Sequence, residues 1–402
     1  MKRRTGNSKE TGGARRVKWR GRPAIRLSNG VIELTALNGG GHIAELCFAR
    51  DAGRPRANVL WESPWEGAAP GALRARRLAG KYGPKGVGEF LASYTGHALC
   101  LDYFGMPSAD EVRQGLPLHG EAASQNWRVI SGTARSAATR TSWQVELPSA
   151  GLAFEREIEL RKAESIAVFQ ESVTNQRDAD HYFHWVQHVT LGTPLLDPQC
   201  SRVFLSGSRA KTWPLGYEGK SLVSAEREFS WPDAPREKGG TADLSIPFGE
   251  QGTGFVASVL LDVDRAIQFV AALNWRLGLV SGYLFRREDF PWVAVWEENC
   301  AREYAPWKGA TQARGIEFGT TPMPIGKGAT FLAGKLFDTP GWKRIPSRAT
   351  QKVVYAAFLA EVPECWRGVQ DIQIEKNALV ITGSGGGEKV TIAARGISEL
   401  KG

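Results

Sequence analysis

The amino-acid sequence predicts an all-β protein. Its 46 Gly and 21 Pro residues fit many short strands joined by tight turns. The segment from Phe154 to Leu160 alternates apolar and polar residues almost perfectly, with Arg156 as the exception, as expected of a strand with one buried and one solvated face. Long amphipathic helices are scarce, so the strands do not alternate with helices. Many closely spaced strands of this kind indicate a sandwich or barrel, and we predict a large antiparallel β-sandwich.

The first strands follow directly from the pattern around a glycine turn. Ala24–Phe48 is predicted as two strands, because Gly39, Gly40 and Gly41 supply the free φ angles of a reversal. Irregular connections are predicted at 54–80 and 102–120, with one capped helical turn at 108–113. Further strands are predicted at 127–131, 141–147, 152–161, 165–175, 254–263, 267–273, 277–285, 292–297, 313–318, 350–362, 371–375, 378–382 and 389–393.

The positive charge is concentrated at the N-terminus. Residues 1–22 contain nine basic residues and one acidic residue, which accounts for +8 of the net charge of +9. We therefore predict a disordered basic tail at 1–22 and a single sandwich domain at 23–402, with 343–402 left open as a C-terminal extension. Because the remainder is nearly neutral, no specific nucleic-acid partner is expected. A weak contact of the tail with RNA or an anionic surface is the alternative.

The cysteine pattern predicts a reducing environment. The five cysteines are far apart and form no C-x-x-C motif, which argues against a disulfide scaffold or a zinc ribbon. No apolar run approaches the roughly 20 residues that cross a bilayer, and no signal peptide is recognised. The sequence therefore predicts a cytoplasmic protein without a membrane partner. It does not specify the oligomeric state.

The stretch 173–194 is the densest in candidate functional residues, because it contains three of the six histidines. In a strand, residues two apart share a face, so His184 and His188 point one way while Trp185 and Gln187 point the other. Imidazoles on one face suit the floor of a polar cleft. His181 does not share the face of the other two histidines, so no metal site is predicted here.

Three stretches carry a resemblance to a known family. They contain His119-Gly120 followed by Trp127, Asn175 followed by His188, and Gly315-Ile316-Glu317 followed by Pro322. In order and spacing, these motifs resemble the galactose mutarotase-like superfamily, and the aldose 1-epimerases in particular. The resemblance covers most of 24–362. It implies the supersandwich fold of that family and an enzyme that interconverts sugar anomers without a cofactor.

The resemblance also implies roles for individual residues. Glu317 would be the catalytic base, His188 the acid and His119 a hydrogen-bonding partner at the sugar ring, with His184 as the second candidate for the acid. The anomer exchange itself needs one group that removes the C1 hydroxyl proton and another that protonates the ring oxygen. The predicted substrate-binding residues are His184, Trp185, Glu121, Gln187 and Asn175.

Some positions depart from the family pattern. Glu121 follows the H-G motif, where the family often has an aromatic residue. The residues after His188 are V-T-L-G, where the family often has Y-F. No clean equivalent of the family's substrate-binding arginine is visible, and Arg74, Arg76 and Arg77 are candidates by region. Two alternatives therefore stay open: a non-catalytic carbohydrate-binding protein, and a glycoside hydrolase or lyase in which Glu121 could act with Glu317.

Overall fold

The computed structural model describes residues 13–49, 56–84, 86–134 and 137–401. The first strands in chain order are β1 (Gly13–Trp19), β2 (Arg22–Ser28), β3 (Ile32–Leu37), β4 (Ile43–Phe48), β5 (His97–Asp102), β6 (Arg128–Ala134), β7 (Ala138–Leu147), β8 (Leu152–Arg161), β9 (Ile166–Asn175), β10 (His181–Leu191), β11 (Ser201–Leu205), β12 (Gly207–Thr212), β13 (Glu228–Ser230) and β14 (Asp233–Pro235). They are followed by β15 (Thr241–Asp243), β16 (Thr253–Leu261), β17 (Ile267–Asn274), β18 (Leu279–Arg286), β19 (Trp292–Asn299), β20 (Gln312–Gly319), β21 (Lys335–Leu336), β22 (Thr339–Pro340), β23 (Lys343–Ile345), β24 (Thr350–Glu361), β25 (Val369–Glu375), β26 (Ala378–Gly383) and β27 (Lys389–Ala393).

Helices are short. They are α1 (Ala75–Tyr82), α2 (Gly88–Ser93), α3 (Ala109–Arg113) and α4 (Lys327–Ala333), with 3-10 turns at Ala122–Ser124 and Arg395–Lys401. The predicted capping box at the start of α3 is confirmed, since Ser108 and Glu111 exchange side-chain to backbone hydrogen bonds. Within the described residues, no helix combines the length and the apolar character that crossing a membrane requires.

Two large antiparallel sheets dominate the described chain, which confirms the all-β sandwich. In the larger sheet, the strand order is β1-β2-β3-β4-β5-β10-β20-β19-β16-β12-β13, and β23 adds to one end of β10. In the smaller sheet, the order is β11-β17-β18-β24-β9-β8-β7-β6. The histidine-bearing strand β10 therefore lies in the middle of the larger sheet, between β5 and β20.

The main core lies between the two sheets. Phe318 of β20 stacks on Phe285 of β18, with ring centroids 4.2 Å apart. Trp185 of β10 packs edge-on against Phe154 of β8 at 6.2 Å. These contacts fix which side of β10 faces inward, because side chains alternate along a strand.

A polar network is buried within this core. Arg156 Nε donates to Glu171 Oε1 at 2.7 Å, and Gln187 Nε2 donates to Glu171 Oε2 at 2.6 Å. Tyr355 Oη also donates to Glu171 Oε1, and the His97 ring lies 2.9 Å from Gln187 Oε1. Hydrogen bonds of this kind offset the cost of burying polar groups. A polar residue on β10 therefore does not by itself mark a cleft.

The predicted disordered tail at 1–22 is wrong for its second half. Residues 13–19 form β1, which pairs with β2 along its whole length. Val17 and Trp19, two residues apart, supply an apolar face that packs on Ala24 and Leu37, so hydrophobic burial stabilises the strand despite its charge. Basic side chains on an edge strand also discourage pairing with other chains. Residues 1–12 of the predicted tail lie outside the described residues.

The structure divides the predicted extension at 343–402 into two parts. β23 pairs with β10, and β24 lies between β18 and β9 in the smaller sheet, so both are integral to the sandwich. Beyond them, β25, β26 and β27 form a separate sheet. This sheet covers the outer face of the smaller sheet through apolar side chains such as Ile372 and Ile381, which belong to one cluster with Phe358.

Candidate active site

A cavity of about 510 Å³ opens on the outer face of the larger sheet, away from the main core. Outward-facing side chains of β10 and β20 form its floor, while α2 and several loops form its walls. The lining residues are Tyr82, Gly83, Pro84, Val87, Phe90, Leu91, Tyr94, Gly105, Met106, Leu118, His119, His188, Trp213, Glu218, Val256, Trp296, Arg302, Tyr304, Ala305, Trp307, Glu317 and Pro324. A mostly apolar wall with a few convergent polar groups is typical of a small-molecule site.

His188 and Glu317 lie side by side on the floor. They are directly opposed in the register of β10 and β20, which brings their side chains together on one face. His188 Nε2 lies 3.2 Å from Glu317 Oε1. The geometry is not that of a hydrogen bond, and within the described chain this buried oxygen has no other hydrogen-bond partner. An unpartnered buried oxygen facing a cavity is available to a ligand.

Gly315 makes room for this carboxyl group. It lies two residues before Glu317 on the same face of β20, opposite Trp296 of β19. A Cβ atom at this position would overlap Glu317 Oε1 and press on the Trp296 ring. The G-x-E spacing of the sequence therefore has a steric reason.

A hydroxyl pair supports the other side of the His188 ring. Its Nδ1 lies 3.2 Å from Thr190 Oγ1 and 3.3 Å from Tyr94 Oη, and these two hydroxyl oxygens are 2.5 Å apart. Thr190 shares the face of His188 because it is two residues further along β10. The ring is thus held so that Nε2 faces Glu317 and the cavity.

His119 completes the polar floor. Its Nδ1 accepts a hydrogen bond from the Gly105 backbone N–H at 3.1 Å, so its Nε2 carries the proton. Its ring meets that of His188 edge-on at 5.1 Å. His119 and Gly120 both have positive φ values, and a Cβ at Gly120 would overlap the Leu101 carbonyl. The H-G motif therefore encodes a tight turn against β5.

Burial shifts the titration of all three groups towards their neutral forms. It raises the pKa of Glu317 well above its ordinary value and lowers the pKa of His188 to about 3. It also lowers the pKa of His119 well below its ordinary value, and the nearby His188 adds to that effect. In the pair formed by His188 and Glu317, burial therefore favours the protonated carboxyl and the neutral imidazole.

Arg302 lines the cavity, and the sequence did not predict it as a site residue. Arg302 Nε donates to Glu218 Oε1 at 3.0 Å, and Tyr304 Oη donates to the same oxygen at 2.9 Å. Trp296 and Trp307 form the neighbouring wall. The stretch around Arg302 belongs to a family-like motif, but no strand periodicity indicates where its side chain points.

His184 shares the face of His188 as predicted, but it does not line the cavity. The two residues are four positions apart, about 13 Å along β10. Its Nδ1 accepts from the Phe104 backbone N–H at 3.1 Å, and burial lowers its pKa to about 3. It is therefore not an alternative acid in this cavity.

Trp185 and Gln187 point into the main core rather than into the cavity. Trp185 Nε1 donates to Glu171 at 3.2 Å, and Gln187 belongs to the same polar network. Their prediction as substrate-binding residues is wrong, because the face of β10 opposite His188 is the interior of the sandwich.

The other predicted binding residues have structural roles. Glu121 accepts from the backbone N–H groups of Ser149 and Ala150 at 3.3 and 2.9 Å, and it does not line the cavity. Asn175 closes the turn after β9 by donating to the carbonyls of Ala179 and Pro346. The candidate arginines are exposed and lie outside the cavity; they are Arg74, Arg76 and Arg77.

Metal-binding geometry is absent from the described part of the chain. No group of three or more His, Cys, Asp or Glu side chains there is arranged to hold a metal ion. What the floor of the cavity offers is a proton donor, a proton acceptor and a hydrogen-bond donor within one small volume.

Comparisons with known proteins identify the fold. No family model matches the sequence, and no curated protein matches it. The structure resembles a candidate aldose 1-epimerase from Klebsiella pneumoniae subsp. pneumoniae MGH 78578, with a TM-score of 0.62 and 16% identity over 86% of this chain and 80% of that one. It also resembles a galactose mutarotase-like protein from Clostridium acetobutylicum, with a TM-score of 0.56 and 12% identity over 88% of this chain and 100% of that one. The chain therefore has the galactose mutarotase-like fold that its sequence motifs predicted.

Proposed function

We propose that this protein is an enzyme of the aldose 1-epimerase type, which interconverts the anomers of a sugar by general acid/base catalysis without a cofactor. The observation that carries the proposal is the convergence of His188, Glu317 and His119 in one cavity. The structural neighbours with epimerase or mutarotase names support it through the fold. We also propose a cytoplasmic location, which the five free cysteines support.

The reaction uses the single proton of the pair. His188 keeps its proton on Nδ1, beside the hydroxyl oxygens of Thr190 and Tyr94, so Nε2 accepts the C1 hydroxyl proton of the sugar. Glu317 donates its proton to the ring oxygen, and the bond between C1 and that oxygen breaks. Rotation about the C1–C2 bond exposes the other face of the carbonyl. The reverse proton transfers then close the ring as the other anomer.

This assignment reverses the roles implied by the resemblance, where Glu317 would be the base and His188 the acid. The reversal follows from the pKa directions, because burial favours the protonated carboxyl and the neutral imidazole. His119 retains its implied role, since its Nε2–H is free to hydrogen-bond the sugar. The rings of Trp296 and Trp307 offer an apolar platform for the sugar C–H face.

The position of Glu121 does not support the pairing with Glu317 that a glycoside hydrolase would use. Glu121 is fixed by the backbone outside the cavity, whereas a pair of carboxyl groups must flank the scissile bond in that reaction. A non-catalytic sugar-binding protein is another alternative, and it would bind sugar with or without Glu317.

Anomer exchange of α-galactose and α-glucose, followed by polarimetry or by magnetisation transfer, tests the proposal. We expect Glu317→Gln and His188→Gln each to lower kcat by about 10²- to 10⁴-fold, the usual contribution of a general acid or base. His181→Gln is the matched control on the same strand, because His181 binds Asp102 outside the cavity. Exchange at the spontaneous rate for every sugar tried, or full activity of Glu317→Gln, would overturn it.

A further inference from the structure

Arg302 is the one permanently positive side chain among the described residues that line the cavity. Its guanidinium lies against aromatic rings, with Cζ 4.7 Å from the centre of Tyr217 and 5.0 Å from that of Trp307. Such cation–π contacts hold a guanidinium in place while leaving its N–H groups free for hydrogen bonds in the plane.

Two carboxylates share this guanidinium, and they differ in how firmly they are held. Glu298 is fully buried, lies 3.7 Å from Arg302 Nη1 and accepts from the backbone N–H of Ala301. The Glu218 side chain is 47% exposed and is held by Arg302 and Tyr304. An exposed ion pair contributes little to stability, so Glu218 is the replaceable partner.

The backbone and the space around Glu218 allow its side chain to move away from Arg302. Its backbone has a φ of 51°, and Gly216 and Gly219 on either side also have positive φ values with open space around them. A second cavity of about 170 Å³ lies on the other side of Glu218, Arg302 and Tyr304, with Lys220 on its wall. A displaced Glu218 carboxylate would face this second cavity, where Lys220 Nζ pairs with Glu303 Oε1 at 2.6 Å.

We propose that the preferred sugar is acidic, a hexuronic acid whose C6 carboxylate takes the place of the Glu218 carboxylate on Arg302 and Tyr304. The inference rests on the proposed function in one respect, that C1 of the sugar lies at His188 and Glu317.

The span of the site fits this orientation. Trp296 lies between the two ends, with its ring centre 6.0 Å from that of His188 and 6.0 Å from Arg302 Cζ. In a hexuronic acid, C1 and the carboxylate-bearing C5 lie on either side of the ring oxygen. The two distances limit the separation of the His188 ring centre and Arg302 Cζ to about 12 Å, which a pyranose ring with a hydrogen bond of about 3 Å at each end can cover.

Charge favours a carboxylate over other anions. Replacing Glu218 by one substrate carboxylate leaves the net charge around Arg302 unchanged, and the planar guanidinium matches a carboxylate well. A phosphate monoester would bring a charge of about −1.5 to −2 next to the buried Glu298 without a second cation. A neutral hexose would leave Glu218 in place and gain nothing from Arg302.

Isothermal titration calorimetry at pH 7 tests the inference with galacturonate and glucuronate against galactose and glucose, and with galactose 6-phosphate as the dianionic probe. We expect the wild type to bind a hexuronate about tenfold more tightly than the matching hexose. Glu218→Gln should tighten hexuronate binding and leave hexose binding within about twofold, because it removes the internal competitor. Arg302→Gln should abolish the preference.

Two further variants keep the result interpretable. Arg302→Lys retains the charge and should retain part of the preference, so it covers the case in which Arg302→Gln does not fold. Arg348→Gln is the matched control, because Arg348 is exposed and pairs with Asp178 away from the cavity.

Equal binding of hexose and hexuronate, a preference that survives Arg302→Gln, or tighter binding of the phosphate would each overturn the inference. Binding and turnover separate it from the proposed function. Anomer exchange of neutral hexoses without a hexuronate preference would refute only this inference. Arg302-dependent hexuronate binding without any anomer exchange would refute only the enzymatic proposal.

Discussion

Replacing Glu317 by Gln should make the protein more stable than the wild type, and increasingly so as the pH rises from about 4.5 towards neutrality. In the unfolded chain, the Glu317 carboxyl loses its proton near pH 4.5, whereas burial raises its pKa well above that in the folded protein. Between these two values, the folded wild type holds one proton more than the unfolded wild type. Its free energy of unfolding therefore falls as the pH rises.

The magnitude follows from the proton difference. One proton corresponds to about 1.4 kcal/mol per pH unit, so the wild type would lose at most roughly 3 kcal/mol between pH 4.5 and pH 7. Gln does not titrate, so the variant does not lose this stability. Burial lowers the pKa of His188 to about 3, so the folded imidazole is neutral above pH 5 and its titration cancels in the difference.

The slope of this difference counts the protons bound by the folded pair, and it does not say which of the two groups holds them. A protonated carboxyl beside a neutral imidazole and a carboxylate beside an imidazolium carry the same total number of protons, so pH–stability and pH–rate profiles treat them alike. What the slope tests is whether the folded pair keeps a proton that the unfolded Glu317 has lost.

Urea unfolding at several pH values between 5 and 7.5, followed by tryptophan fluorescence, measures the difference. Glu155→Gln is the matched control, since it makes the same exchange at an exposed position on β8 outside the cavity. A difference between Glu317→Gln and the wild type that stays flat or falls with pH would refute the reasoning.

Two further substitutions separate the cavity from the core. Gly315→Ala should lower kcat by about tenfold or more in a folded protein, because the added Cβ overlaps the Glu317 carboxyl group. Anomer-exchange kinetics measure kcat, and circular dichroism shows that the variant is folded. An unchanged kcat would contradict the prediction. Trp185→Phe should cost about 1–3 kcal/mol of stability through the lost hydrogen bond to Glu171, with KM and kcat unchanged. A raised KM for this variant would restore Trp185 as a substrate contact.

Strand periodicity predicted the alternation along β10 but not which side faces the cavity. His188 and Trp185 were correctly placed on opposite faces, yet both were predicted to contact the sugar. A central strand is covered on both sides, and here both sides carry polar groups, with Gln187 inside and His188 outside. The distribution of polar residues along such a strand therefore does not distinguish a buried network from a cleft.

The pairing of His188 with Glu317 was accessible only through the family resemblance. The two strands are neighbours in the larger sheet although many strands separate them in the chain. Nothing in either local pattern specifies a register between distant strands, since register depends on the whole sheet. The G-x-E spacing does indicate the position of the carboxyl group, because Gly315 provides the space that Glu317 needs.

The floor of the cavity was accessible from the sequence, whereas its walls were not. Strands of regular periodicity hold His188 and Glu317, whereas Met106, Trp213 and Arg302 come from connections in which periodicity is lost. A loop side chain takes its direction from tertiary contacts such as those of Arg302 with Glu298 and aromatic rings, and single-sequence patterns do not contain these contacts. The residues of the proposed proton chemistry thus lie on the sheet, and the residue of the proposed sugar preference lies in a loop. Exchanging Arg302 should accordingly change which sugar binds, whereas exchanging Glu317 should change how fast any bound sugar reacts.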